Sequence, residues 1–209
     1  GTSTGSGSGA TSPAITATGT YYARAENNGC WGTEGSAAVT VTALPSAVTV
    51  TGAGTYCDNT TLSATGGSGG TIYWQSTTSG GTSTANPGAT SPTYSSSGTY
   101  YARAESNGCW GTEDSDAITI NATPTSVSVS GGGAICENAT LSASGGSGGT
   151  IYWQGTNSGG TSTGSGSGAT SPAITATGTY YARALNGSCW GTEGSAVVSS
   201  LNAAPTTPD

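Results

Sequence analysis

The side chains with the most obvious chemistry in this sequence are its five cysteines, Cys30, Cys57, Cys109, Cys136 and Cys189. Thiolates bind zinc when they are spaced as in C-x-x-C, and they act as nucleophiles when a neighbouring histidine activates them. The sequence contains neither that spacing nor any histidine. The interpretations that remain are disulfide bonds and buried free thiols.

Carboxylates cluster once, at Glu113, Asp114 and Asp116. Carboxylate oxygens bind Ca²⁺, so the cluster is a weak metal candidate, although the matching stretches elsewhere read Glu-Gly-Ser-Ala. Paired carboxylates also hydrolyse glycosides, but nothing else in the sequence supports such a site. Because His and Lys are both absent, His-dependent triads, Schiff bases and P-loop lysines are excluded. We therefore predict no enzyme activity, no resident metal and no cofactor.

The only cationic side chains are three arginines that recur within the same heptapeptide, GTYYARA: Arg24, Arg103 and Arg183. A structural ion pair is favoured over a functional anion site. One set of partners, Glu26 or Glu105, lies two residues further along the strand, but Leu185 replaces it in the third copy. The downstream set is therefore preferred, and it consists of Glu34, Glu113 and Glu193.

Charge and hydropathy exclude two classes of partner. Three basic side chains stand against ten acidic ones, which gives a net charge of −7. Nucleic acids and anionic membranes are therefore poor partners. No apolar run approaches the length that spans a bilayer. The partners that we expect are neighbouring repeats of the same protein, other copies of it in a filament, or a glycan or surface.

The sequence is repetitive, with a unit of about 80 residues. The heptapeptide GTYYARA places its first tyrosine at Tyr21, Tyr100 and Tyr180, and residues 1–25 are identical to residues 160–184. We predict a C-terminal half of a repeat at 1–44, complete repeats at 45–123 and 124–204, and the start of a further linker or repeat at 205–209. In the alternative interpretation, another subunit completes the half repeat, as in a donor-strand polymer.

The repeats suggest how the cysteines pair. Cys57 and Cys109 fall in one repeat, and Cys136 and Cys189 fall in the next. We therefore expect one disulfide within each complete repeat, which would close a loop of roughly 52 residues and contribute about 4 kcal/mol. Cys30 would pair with a cysteine outside this segment. Such bonds indicate an extracellular, oxidising location.

Alternation of period two predicts strands throughout, separated by Gly, Ser, Asn and Pro clusters. Strands are expected at 47–51, 61–64, 71–75, 99–104 and 117–120 in the second repeat. No stripe of helical period exists. The pattern is typical of a β-sandwich.

Aromatic residues divide into core and surface candidates. The core candidates are Trp74, Trp153, Tyr100 and Tyr180. The candidates for surface contact are the tryptophans that follow a cysteine, together with one tyrosine: Trp31, Trp110, Trp190 and Tyr101. These could stack on sugar rings, although packing beside a disulfide is the more ordinary role of such a tryptophan.

Several motifs in order resemble a known family: Cys57, the TLSA run at 61–64, the TIYW run at 71–74, GTYYARA and then Asn-Gly-Cys ending at Cys109. This order resembles the Ig-like repeats of very large secreted surface proteins of gliding bacteria. The resemblance implies all-β tandem Ig-like sandwiches in an end-to-end array, export by a type IX route and no catalytic residues. It also implies that the disulfide links the segment before strand B to the F–G turn.

Two classes of function follow. The first is a passive, force-bearing segment of an extracellular filament or adhesin stalk. The second is a multivalent module that binds glycan or surface through exposed aromatic rings. Joint exposure of Trp110 and Tyr101 would favour the second.

Overall fold

The computed structural model describes residues 11–203, which form strands and turns and no helix. The predicted all-β class is confirmed. The first ten residues of the predicted half repeat, Ala204 and the predicted segment 205–209 lie outside the described residues. Within the described range, nothing helical is available to cross a membrane.

The strands fall into three groups along the chain. The first group is Gly19–Ala23 (β1), Glu26–Asn27 (β2), Cys30–Trp31 (β3) and Gly35–Val39 (β4). The second is Val48–Thr51 (β5), Gly54–Cys57 (β6), Ser63–Gly66 (β7), Thr71–Trp74 (β8), Gly98–Ser106 (β9), Cys109–Trp110 (β10) and Asp114–Asn121 (β11). The third is Val127–Ser130 (β12), Gly133–Cys136 (β13), Ser142–Gly145 (β14), Thr150–Gly155 (β15), Gly178–Asn186 (β16), Cys189–Trp190 (β17) and Gly194–Asn202 (β18).

Turn residues explain why the strands end where they do. Asn107 and Gly108, at the tip between β9 and β10, both have positive φ, of 49° and 81°. This is the combination that a tight hairpin of right-handed twist requires, and Asn-Gly supplies it at the lowest steric cost. At the end of β7, Gly66 has φ of +82° and lies so close to the Ala47 carbonyl that a Cβ atom would collide with it.

The chain divides into two compact units. Unit 1 contains Gly1–Val50, Ala64–Ala89 and Tyr101–Ser115. Here β5 pairs with β7, and β8 pairs with β9 in antiparallel register from Thr71 opposite Glu105 to Trp74 opposite Ala102. The alternating residues that face inward are buried: Val48, Val50, Ala64, Trp74, Ala102 and Ala104. In the first group, β1 pairs with β4 and their side chains are mostly exposed.

Unit 2 contains Thr51–Ser63, Thr90–Tyr100 and Asp116–Asp209. Its main sheet has the order β13-β18-β16-β15, and β17 also pairs with β16. A second pair, β12 and β14, gives the sandwich-like arrangement its other layer. The buried cluster comprises Val127, Leu141, Ala143, Trp153, Ile174, Ala182, Ala184 and Val198. Val198 and Leu141 are the aliphatic centre, at 1% and 0% exposed.

The short strands β6 and β13 were absent from the sequence prediction, as were the two-residue strands β10 and β17. β6 pairs in parallel with β11, and β13 pairs in parallel with β18. Each of these two strands ends at a cysteine, Cys57 in β6 and Cys136 in β13. In the second repeat, β6 precedes the strand that was predicted at 61–64. Their sequences, GTYC and GAIC, are too short and glycine-containing to show a clear alternation. These strands place Cys57 opposite Asn121 and Cys136 opposite Asn202.

Candidate functional site

Cys57 and Cys189 form a disulfide, with Cα atoms 5.6 Å apart and a sequence separation of 132 residues. Both lie in unit 2. The predicted bonds, Cys57–Cys109 and Cys136–Cys189, are therefore not the ones in the structure. Among the described residues, Cys30 and Cys136 are exposed thiols and Cys109 is a partly exposed thiol.

The third repeat shows why a bond inside one repeat is not formed. Cys136 lies opposite Asn202, at the far end of β18, whereas Cys189 lies in the hairpin that precedes the start of this strand at Gly194. Nine residues of extended strand separate the two ends by roughly 25 Å. A disulfide requires Cα atoms about 4.4–6.8 Å apart. Each repeat thus carries its two cysteines at opposite ends.

Hydrogen bonds surround the Cys57–Cys189 bond. The Asn186 side-chain amide donates to the Ala122 carbonyl at 2.9 Å, and the Cys189 Sγ lies 3.6 Å from the Asn121 carbonyl oxygen. Asp58, beside the disulfide, accepts from both the backbone N–H and the hydroxyl of Thr123 at 2.7 Å. These two bonds lower the pKa of Asp58. We name Cys57, Cys189, Asn121, Ala122 and Asn186 the cysteine junction.

The predicted arginine–glutamate ion pairs are replaced by a shared turn. Among the described residues no direct pair joins Arg103 to Glu113. Instead, the guanidinium donates to the Gly111 carbonyl at 3.0 and 3.1 Å, and Nη1 donates to the carbonyls of Gly80 and Gly81 at 3.4 Å. Glu113 accepts from the other side of the same turn, from the Ser79 hydroxyl at 2.6 Å and the Gly80 N–H at 2.7 Å.

The third repeat makes the same arrangement. Arg183 donates to Gly191, Gly159 and Gly160 carbonyls, and Glu193 accepts from the Ser158 hydroxyl and the Gly159 N–H. The arginine and the glutamate both hydrogen-bond to the turn at residues 158–160, and in the described part of the chain they form no direct ion pair with each other. Sequence spacing identified the residues but not the glycine turn, because nothing local indicates which loop reaches them. In the first repeat, Arg24 lies over the Trp31 ring at 4.7 Å, and no ion pair to Glu34 is present within residues 11–203.

These hydrogen bonds stabilise the ionised carboxylates. The Ser79 hydroxyl, followed by the Gly80 N–H, lowers the pKa of Glu113. For Glu193, the Gly159 N–H is the larger cause and the Ser158 hydroxyl the second. A carboxyl whose pKa is lower in the folded than in the unfolded chain contributes stability above its unfolded pKa. That contribution is lost as the pH falls through the folded pKa.

We expect the substitution Ser79→Ala to raise the pKa of Glu113 towards its ordinary value and to leave that of Glu193 low. The reason is that the substitution removes only the largest of the bonds to Glu113. A carbonyl-carbon NMR titration of the two side chains would measure both, and Glu193 serves as the internal control. Equal shifts at both carboxyls would contradict a local cause.

The acidic cluster is dispersed over separate backbone donors. Asp114 accepts from the Val50 N–H at 2.8 Å and Asp116 from the Ala53 N–H at 2.9 Å, while Glu113 holds the turn at residue 80. Each carboxylate thus stabilises a different part of the backbone. Residues 11–203 contain no group of three or more His, Cys, Asp or Glu side chains that could hold a metal ion. The weak calcium candidate is therefore withdrawn.

The tryptophans after the cysteines pack against their own repeats. The Trp110 ring meets Tyr73 edge to face at 5.8 Å and the Arg103 guanidinium at 5.5 Å. Trp190 makes the same contacts with Tyr152 and Arg183, at 5.9 and 5.5 Å. Trp110, Trp190 and Tyr101 are half-buried, whereas Trp31 is 59% exposed.

Of the core candidates, the structure places Trp74, Trp153 and Tyr100 at 5% exposed or less, and Tyr180 packs at the edge of the unit 2 cluster. Tyr94 stacks on Tyr100 at 3.7 Å, and burial followed by the Tyr100 charge raises the pKa of Tyr94 to about 12.

Sequence reasoning missed two buried polar positions that occur in both complete repeats. Gln154 exchanges hydrogen bonds with the Ser162 backbone, and Ser171 links the Leu141 N–H to the Pro172 carbonyl. The repetition of TIYWQ and of Ser-Pro was the available signal.

Comparison with known proteins gives one family match. Residues 122–202 match the family described as "Ig-like domain CHU_C associated". No curated protein matches the chain in sequence.

Among solved structures, the chain is similar to the N-terminal eight Ig domains of Down Syndrome Cell Adhesion Molecule, with 16% identity over 90% of this chain and 27% of that chain and a TM-score of 0.33. It is also similar to Sidekick-1 immunoglobulin domains 1–4, with 16% identity over 90% and 59% of the two chains and a TM-score of 0.38. For DIP-gamma IG1+IG2 the identity is 14%, the coverage 74% and 98%, and the TM-score 0.28. The chain thus spans under two thirds of the first two structures. The motif order and the family match agree, and residues 122–202 are similar to the Ig-like domain described as CHU_C associated.

Proposed function

We propose that this chain is a structural segment of an extracellular surface filament or adhesin stalk. In this proposal, Ig-like repeats of about 80 residues are arranged end to end, at 45–123 and 124–204, after the second half of a repeat at 1–44. The family match supports a structural or adhesion-type module. The disulfide supports an oxidising, extracellular location.

The observation that carries the proposal is the bond between Cys57 of the second sequence repeat and Cys189 of the third. A covalent bond between successive repeats limits how far they separate or swing. Pro124, which begins the third repeat, is buried, and its ring and carbonyl lie against the backbone at Gly149 and Gly191. The start of the third repeat is therefore packed against its own repeat, directly after the residues that contact the disulfide. These properties suit a spacer, which must maintain a constant length.

The aromatic rings favour the spacer over a glycan-binding module. Stacking on a sugar requires a free ring face, and the Trp110 and Trp190 rings already contact a tyrosine and an arginine. Trp31 is the more exposed ring, but it belongs to the first group of strands, whose side chains are mostly exposed. That exposure is expected whichever chain completes the half repeat, so completion by another subunit stays an alternative.

Small-angle scattering of the full chain tests the proposal. The thiols of Cys30, Cys109 and Cys136 would first be alkylated, so that no new bonds form. We expect the oxidised chain to fit a single extended arrangement of the two complete repeats, because the cysteine junction restrains them. The double variant Cys57→Ser/Cys189→Ser is the matched control and should show a broader distribution of dimensions. Freely jointed repeats in the oxidised chain would contradict the proposal.

A further inference from the structure

The structure contains a second surface of the same kind as the cysteine junction. Cys57 lies opposite Asn121 in the β6–β11 pair, and Cys136 lies opposite Asn202 in the β13–β18 pair. The backbone continues alike in both, since the N–H of the next residue donates to the Asn121 carbonyl in one and to the Asn202 carbonyl in the other. Cys136 is therefore held in the same backbone setting as the bonded Cys57.

The residues that receive the hairpin are also repeated. At the junction, the Asn121 and Ala122 carbonyls face the hairpin that carries Asn186 and Cys189. The matching pair at the end of β18 is Asn202 and Ala203, which are the same residue types. Both are exposed, as is Cys136. The thiol and its two flanking carbonyls thus form an accessible copy of a surface that is already bonded elsewhere in the molecule.

The hairpins differ in how well they match that surface. Asn186 lies three residues before Cys189. The residue three positions before the cysteine is Asn27 in the first hairpin and Ser106 in the second. Only Asn27 offers a side-chain amide that reaches as Asn186 does. Cys30 and Asn27 are both exposed. In the existing junction, Gly187 lies directly against the Asn121 side chain. The first hairpin has Asn28 at the position of Gly187, and Asn202 takes the position of Asn121. The Asn202 side chain must therefore change its rotamer to make room for Asn28.

We propose that Cys136 is a covalent docking site for the cysteine hairpin of another repeat of this kind, and that Cys30 of a second copy of this chain fits it. This inference rests on the proposed function, because it extends the repeat array by one more junction. In the proposed junction, Cys136 takes the place of Cys57, and Cys30 of the second copy takes the place of Cys189. The third repeat of one copy would then be bonded to the first repeat of the next copy, as the second and third repeats are bonded within one chain.

The bond forms by thiol–disulfide exchange. The thiolate of Cys136 attacks a small disulfide oxidant such as oxidised glutathione, which gives a mixed disulfide and releases one reduced thiol. The Cys30 thiolate then attacks the Cys136 sulfur and releases the second thiol. Two protein thiols lose two electrons and two protons in total, and the oxidant gains them as two thiols.

The test uses the full chain with its Cys57–Cys189 bond intact, incubated in a glutathione redox buffer. The products would be separated without reductant and their disulfides mapped by mass spectrometry. We expect head-to-tail oligomers joined by Cys136–Cys30. Both Cys136→Ser and Cys30→Ser should abolish them, and the matched control Cys109→Ser should retain them. Asn27→Ser should slow their formation, since it makes the hairpin resemble the second one.

Two other outcomes separate this inference from the proposed function. If Cys57–Cys189 is mapped but Cys136 stays reduced, or pairs equally with every thiol including itself, the docking site is wrong and the spacer proposal stands. If the same map lacks Cys57–Cys189, the spacer proposal loses its main support as well.

Discussion

Pulling the oxidised chain from its two ends should leave the segment between Cys57 and Cys189 unextended. The disulfide carries the load past this segment, whose ends are separated by 132 residues in sequence. At up to about 3.5 Å per residue, reduction under load should release roughly 460 Å of additional extension from these 132 residues. A single-molecule force experiment before and after addition of reductant measures the difference directly.

The variant Cys189→Ser is the control, because it should extend fully without reductant. The size of the released length also distinguishes the pairing in the structure from the pairing that the repeats suggested. The bonds Cys57–Cys109 and Cys136–Cys189 would span 52 and 53 residues, so together they would withhold only about 370 Å. Full extension of the oxidised wild-type chain would show that the cysteine junction bears no load.

The substitution Trp153→Ala should unfold the third repeat or bring it close to unfolding. Trp153 is 2% exposed and its indole N–H donates to the Gly168 carbonyl at 3.1 Å. Loss of a buried tryptophan costs about 3–5 kcal/mol, and small domains have a total stability of roughly 5–15 kcal/mol. The core around it is thin, with alanine at three of its eight positions, so few large side chains remain to compensate. Denaturant unfolding of the full chain, combined with hydrogen exchange by peptide, would locate and measure the loss.

Trp190→Ala provides the matched comparison within the same repeat. Its ring is half-buried, meets Tyr152 edge to face and lies under the Arg183 guanidinium. We expect the cost to be smaller, about 1 kcal/mol for an aromatic contact of this kind. Equal losses for the two variants would indicate that the third repeat is not organised around Trp153.

The strand class was predictable because burial in a sheet follows a strict period of two. The run Val48–Thr51 shows it, because Val48 and Val50 are buried and the two threonines are exposed. The repeat spacing likewise identified the cysteines, the arginines and the glutamates that matter. These signals are local or periodic, so one sequence is enough to read them.

The cysteine pairing was not predictable from those signals. It depends on which end of a repeat each thiol occupies, and that depends on β6 and β13, four-residue strands whose parallel partners lie far away in sequence. The sequence prediction placed both cysteines of a repeat at the same end of the sandwich, and this placement led to the prediction of a disulfide within the repeat. The arginine–glutamate arrangement failed for a related reason, since the glycine turn between the charges comes from a distant loop.

The Cys57–Cys189 bond also changes what a protease can accomplish. It makes the intervening polypeptide a closed ring, and a ring cut once remains a single covalent piece. Two of the three arginines, Arg103 and Arg183, lie inside it, and the chain contains no lysine. A trypsin-like enzyme that cuts after either one opens the ring without severing the molecule, so the polypeptide would stay in one covalent piece after a cut that divides an ordinary linear chain.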